Sequence, residues 1–223
     1  MALSLRLKTI AKYIEGFDSL ADIACDHGYL GIYAAKTYGL KDVLLTDINP
    51  MPLASAQNNC KLNNLEDVIL CKLGDGLAPL EKDYDVISIS GIGGMLLTEI
   101  LRDGIDRCKG AKRLILCPNT DLYEVRKFLA LNGFVIEFEE IIHEHKYYEI
   151  VVASYVGNTQ FYTELELKYG PALLKNQSEI FLKHYQEQLN LFEKQITHVT
   201  DDNRKEKLNK KIDEIKRILS KKL

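Results

Sequence analysis

From Leu20 to Leu131 short apolar runs alternate with stretches of helical spacing. The runs LADIA (20–24), DVLLTDI (42–48), VILCKLG (68–74), YDVISIS (84–90) and RLILCP (113–118) read as buried strands. The stretches 29–38, 51–63, 94–108 and 121–131 read as helices, the last closed by Asn132-Gly133 in the manner of a C-cap. Strands joined through helices are parallel, because the crossover connection is right-handed. The rhythm then breaks. FVIEFEEIIHEH (134–145) and KYYEIVVASYV (146–156) are strand-like with no helical stretch between them, so they should pair as an antiparallel hairpin. The opening MALSLRLKTIAKYIEGF is an amphipathic helix by its spacing. Beyond Gly157, Pro171 suits a first helical turn, and Leu173, Leu174, Ile180, Phe181, Tyr185, Leu189, Phe192 and Ile196 mark one long helix. Leu208, Ile212, Ile215, Ile218 and Leu219 mark a second, which predicts an antiparallel hairpin of coiled-coil character. The expected division is residues 1–156 as an α/β domain and 157–223 as a helical one.

Composition narrows this only a little. A chain of 223 residues with 46% hydrophobic and 27% charged residues suits one α/β domain with an appendage. No uninterrupted apolar run suggests a leader or a spanning helix, so a cytoplasmic protein without a membrane partner is expected. Five cysteines (Cys25, Cys60, Cys71, Cys108, Cys117) lie far apart without a C-x-x-C, which predicts reduced, buried thiols and no metal site. The net charge of −3 hides two basic ends. Arg6, Lys8 and Lys12 stand near the start, and Arg204, Lys205, Lys207, Lys210, Lys211, Lys216, Arg217, Lys221 and Lys222 near the end. A monomer is the expected state.

In an open α/β sheet the ligand lies outside the carboxyl ends of the strands, near the reversal of strand order. The first strand carries Asp22 and runs into Cys25-Asp26-His27-Gly28, a turn with acidic groups where a dinucleotide site would place pyrophosphate. Carboxylates there disfavour a diphosphate and favour a ligand with a cationic amine. S-adenosylmethionine, which carries an ammonium and a sulfonium and no phosphate, fits. Asp47, followed by Ile48 and Asn49, ends the second strand where an acidic residue accepts ribose hydroxyls, and Asp75 within Gly74-Asp75-Gly76 can accept from an adenine amino group. After the fourth strand, Ser90-Gly91-Ile92-Gly93-Gly94 lets a planar substrate lie against backbone. The parallel sheet with a terminal antiparallel hairpin resembles the Rossmann-like, seven-stranded fold of class I methyltransferases.

Over its whole length the chain resembles the TrmK family of bacterial tRNA (adenine-22-N1)-methyltransferases. The residues that carry the resemblance are LSLRLKTIAKYI, ADIACDHGYLGIY, GDGL, ISGIGGMLLTEIL, RLILCPN and YYEIVVA, in order along the chain. It implies methyl transfer from S-adenosylmethionine to N1 of an adenine in tRNA. On that reading Asp26 and Asn119 are the candidates for the acceptor that orients the adenine. His27 and Tyr29 join the cofactor residues, and Arg6, Lys8, Gly93, Gly94, Arg204 and Lys205 face the RNA. Two alternatives are a methyltransferase for small molecules and a cofactor-holding module that recruits a partner through its coiled coil.

Overall fold

A computed structural model describes residues 3–220. Ten helices and seven strands follow in the order α1 (Leu5–Lys12), β1 (Ser19–Ile23), α2 (Tyr29–Tyr38), β2 (Asp42–Asp47), α3 (Pro50–Leu62), β3 (Ile69–Leu73), β4 (Val86–Ser90), α4 (Gly94–Asp103), α5 (Ile105–Gly110), β5 (Arg113–Cys117), α6 (Leu122–Leu131), β6 (Phe134–His143), β7 (Tyr147–Tyr155), α7 (Glu164–Tyr169), α8 (Pro171–Asn176), α9 (Glu179–Ile196) and α10 (Asp202–Ser220). The seven strands form one sheet in the order β3-β2-β1-β4-β5-β7-β6. β1 to β5 are parallel, and β7 pairs antiparallel with both β5 and β6. This is the α/β architecture expected from the pattern, terminal hairpin included.

The period of two along each strand makes the layers. Leu20, Val43, Leu45, Val86, Ile115, Ile150 and Val152 point to one face, where Ile10, Ala11 and Ile14 of the first helical segment and residues of α2 and α3 cover them. Their neighbours Ala21, Leu44, Ile87, Ile89, Leu114, Leu116 and Val151 point to the other, under α4, α5 and α6. Both faces are covered, which is why these strands read as continuous apolar runs.

Two expected helices are divided. The stretch 94–108 breaks at Gly104, whose absent side chain makes room for Leu77; a Cβ there would lie 2.4 Å from Leu77 Cδ1. The long tail helix breaks at Gln177, left-handed at φ 41°, and restarts with Ser178 capping the Phe181 amide. The second tail helix is α10. It packs on α9, and Gln177 Nε2 donates to Ile218 O at 2.9 Å, closing the hairpin at its base. Ile141, Leu173, Phe181, Tyr185, Ile212 and Ile215 form a third core that seats α8 to α10 on β6. Lys221 and Lys222 lie outside the described residues. No helix among the described residues is long and apolar enough to cross a membrane.

Candidate active site

A cavity of about 670 Å³ opens beyond the carboxyl ends of β1 to β4. Asp22, Asp26, His27, Tyr29, Asp47, Ile48, Asn49, Gly74, Asp75, Gly76, Ser90, Gly91 and Asn119 line it, and so does Arg6. Strand order explains the gathering. β1 has β2 on one side and β4 on the other, so connections leave on opposite faces and open a crevice between the loops.

The loop after β1 is wound tightly, with Ala24, Asp26 and Gly28 at φ 55°, 53° and 71°. Asp47 pins it. Its Oδ2 accepts from the Asp26 amide at 3.3 Å, and its Oδ1 accepts from the Asn49 amide at 2.8 Å. Each carboxylate oxygen keeps a further lone pair directed to other donors. Asp22 is 3% exposed, and burial lifts its carboxyl to about 7 although Ser88, its partner in the β1–β4 register, and Arg6 both pull the other way. Burial likewise raises the Cys25 thiol, with Asp22 and Asp47 adding to the effect, so this cavity thiol stays protonated. The imidazole of His27 stacks on Tyr29 at 5.3 Å between centroids. The Asp26 side chain is 70% exposed at the rim.

Beyond β4 the wall changes character. Asn119 Nδ2 donates to Gly91 O at 2.5 Å, and its Oδ1 accepts from Lys146 at 3.1 Å. Lys146 in turn lies 5.0 Å from the ring centroid of Tyr148, which lines the cavity. Ile92, Leu96 and Ile100 complete an apolar side.

Six expected residues do not line the cavity. Gly28 starts α2 against the sheet, where a Cβ would meet Leu45 Cδ1 at 2.7 Å and Ala56 Cβ at 3.1 Å; its role is close packing. Gly94 lets α4 approach the loop after β5, a Cβ there lying 2.4 Å from Thr120 O, and Gly93 caps that helix. Lys8, Arg204 and Lys205 are exposed away from it. Lys12, basic in sequence, is paired with Glu140. Tyr148 and Thr46 are among the cavity residues that sequence reasoning passed over. Alternation along β7 places Tyr148 with Ile150 and Val152 on the α1 face, a signal available in YYEIVVA.

What ligand suits these walls follows from charge. Four carboxylates and a single guanidinium line the cavity, and buried Asp22 calls for a cationic partner. A phosphate-free nucleoside bearing an ammonium fits, whereas a dinucleotide would bring its diphosphate against acids.

Comparison with known proteins agrees. The family described as TrmK, tRNA (adenine(22)-N(1))-methyltransferase, matches residues 20–220. A Bacillus subtilis tRNA (adenine(22)-N(1))-methyltransferase is 34% identical over 195 residues, covering 85% of this chain and 82% of its own. The crystal structure of the B. subtilis M1A22 tRNA methyltransferase TrmK is 29% identical with a TM-score of 0.85, over 98% of this chain and 99% of that one. Streptococcus pneumoniae Sp1610 in complex with S-adenosyl-L-methionine is 30% identical with a TM-score of 0.88, over 98% and 100%.

Proposed function

The chain belongs to the TrmK family of tRNA (adenine(22)-N(1))-methyltransferases, and from that premise we propose how its residues carry methyl transfer from S-adenosylmethionine to N1 of adenine 22 in tRNA. The observation that carries the assignment of roles is the acid-lined crevice, with Asp75 after β3, Asp47 at the end of β2, and Asp22 and Asp26 on β1 and the loop that follows it. Asp75 and the Gly76 backbone receive the adenine of the cofactor, Asp47 its ribose hydroxyls, and Asp22 its ammonium. When bound, S-adenosylmethionine supplies a methyl group made electrophilic by the adjacent sulfonium.

Adenine N1 already has a lone pair, so no base need act before attack and the barrier is one of alignment. The loops after β1 and β5 flank the end of β4, and they bring Asp26 and Asn119 to the two sides of Ser90-Gly91. Asn119 is held at both ends of its amide, by Gly91 O and Lys146, so its remaining lone pair and proton are oriented before the substrate arrives. It fixes the amino edge of the adenine. Asp26 at the rim balances the positive charge that the base acquires on methylation. Pairing blocks N1 in a duplex, so the tRNA must expose that edge locally. The residues 157–223 serve as the RNA-holding unit, with Arg204, Lys205 and Lys207 on the exposed face of α10 as phosphate contacts.

Transfer of labelled methyl to unmodified bacterial tRNA transcripts, mapped by reverse-transcription arrest, tests the reaction. A stop at adenine 22 is expected, and its loss on changing that base to guanine. Label in free nucleosides but not in tRNA would overturn it. For the roles, Asp47→Ala should weaken cofactor affinity about 10- to 100-fold by calorimetry, the loss of a charged hydrogen bond together with a looser loop. Asn119→Ala should instead slow single-turnover transfer with cofactor affinity nearly unchanged.

A further inference from the structure

Arg6, expected among the RNA contacts, lies inside the cavity, which leaves the mouth to other cations. The acids that line the cavity, Asp22, Asp26, Asp47 and Asp75, belong to β1, to β2 and to the loops after β1 and β3. The lining from Ser90 onward carries none. Over that side reaches Lys146, in the turn between β6 and β7, with its Nζ donating to Asn119 Oδ1 at 3.1 Å. We propose that Lys146 binds a phosphate flanking the target adenine, so that one side chain holds both the backbone of the RNA and the amide that orients its base.

The inference rests on the tRNA reading above and deepens it. A nucleotide turned into the cavity leaves its phosphates at the mouth, because base and phosphate lie at opposite ends of the sugar. Passing over the loop after β1, such a phosphate meets the Asp26 side chain, 70% exposed. Passing over the β6–β7 turn, it meets Lys146. This lysine is exposed and takes part in none of the ion pairs formed among the described residues. Charge therefore decides the side on which the backbone runs. Glu144, the acid of the same turn, is committed to the start of α1, where its Oε1 accepts from Leu5 N at 2.8 Å. An ammonium has three protons to donate, and Asn119 takes one of them.

The place of Lys146 on the hairpin also fits the path of the RNA. Successive side chains of β7 point to opposite faces. Tyr148 enters the cavity, where its ring centroid lies 5.0 Å from Lys146 Nζ. Tyr147 turns to the tail, its Oη donating to Glu187 Oε2 of α9 at 2.7 Å and its ring centroid 4.0 Å from that of His184. The tip of the hairpin thus spans the gap between the cavity and the helices assigned to hold the RNA. A chain seated on the tail with its adenine in the cavity crosses that tip. Contact with the Tyr148 ring and with the Asn119 amide holds the ammonium before RNA arrives, so little entropy is lost in gripping a phosphate.

Single-turnover transfer by the full-length protein at subsaturating tRNA tests the contact, with the tRNA assembled from synthetic halves. In one substrate a methylphosphonate replaces the phosphate on the 5′ side of adenine 22, and in another the phosphate on its 3′ side. At least one of these neutral linkages should slow the wild type about 10-fold. Lys146→Gln should be slower by about as much on unmodified tRNA and should lose nothing further on that linkage. Its log affinity for tRNA against log salt should fall in slope by about one. Lys146→Arg, which keeps the charge, should recover most of the loss. Affinity for S-adenosylhomocysteine, the cofactor without its methyl group, should stay within about twofold by calorimetry in both variants. A wild type indifferent to both linkages would overturn the proposal. So would a linkage that slows Lys146→Gln as much as the wild type, since Lys146 would then act only by orienting Asn119. A loss of cofactor affinity as large as the loss of transfer would make Lys146 a structural residue and overturn it too. A wild-type protein that transfers no methyl to tRNA with native phosphates would defeat the tRNA reading itself, a result distinct from these.

Discussion

A carboxylate lifted to about 7 by burial, as Asp22 is, couples the site to pH in two ways. Its pKa in the folded protein exceeds the unfolded value of 3.8, so its contribution to stability is full below 3.8 and is lost as pH rises through 7, where the fold must carry a buried charge. Asp22→Asn removes that cost. The cofactor-free variant should melt above the wild type at pH 8, by at most about 4 kcal/mol in stability, and the gap should close as pH falls toward 3.8. Binding runs the opposite way, because an ammonium wants the ionised form. S-adenosylhomocysteine affinity should rise about tenfold per pH unit below 7 and level off above it. In Asp22→Asn it should be weak and flat. Asp22, Asp47 and Asp75 were legible in the sequence because strand ends in such a sheet are ligand positions whatever the surroundings. The placement of Arg6 was not. Nothing local distinguishes it from Lys8 two residues on, and only the docking of α1 beside β7 turns one into the cavity and leaves the other in solvent.

Elements are tied together by a buried ion network that no local pattern announced. Arg126 of α6 is fully buried and pairs with Glu139 of β6 at 2.7 Å and Glu149 of β7 at 2.5 Å. Its Nη1 also donates to Leu167 O and Lys168 O at the end of α7, while Glu139 Oε2 accepts from the Ala172 and Leu173 amides at the start of α8. One pair of side chains thus satisfies the ends of two short helices and fastens the tail to the sheet. Gly170 between those helices, at φ 86°, has no room for a side chain, since a Cβ would lie 2.6 Å from Glu139 Oε2. Arg126→Met should cost about 3 to 5 kcal/mol in chemical denaturation, because it leaves Glu139 buried without its cation. Adding Glu139→Gln should recover part of that. In sequence Arg126 reads as an ordinary helix residue, and the helix break at Gln177 carries no glycine or proline to mark it.

At the scale of the molecule, a net charge of −3 coexists with an exposed basic face on α10. Lys210 and Lys216 there are engaged with Glu206 and Glu193, whereas Arg204, Lys205 and Lys207, clustered in its first turns, are exposed and in no ion pair among the described residues. Reversing these three to glutamate should weaken tRNA binding and lower the slope of log affinity against log salt by about one for each phosphate no longer neutralised. Cofactor affinity should not change. A slope equal to that of the wild type would place the RNA elsewhere. The alternation of strands and helices, the hairpin that ends the sheet and the acids at the strand ends were all determined by the sequence alone, because each depends on periodicity or on position within one element. Tertiary structure alone decided which cation enters the cavity, that Tyr148 joins its wall, where two long helices divide and how the tail is fastened. Those features arise where distant segments meet, and an encounter between residues far apart in the chain leaves no period to read.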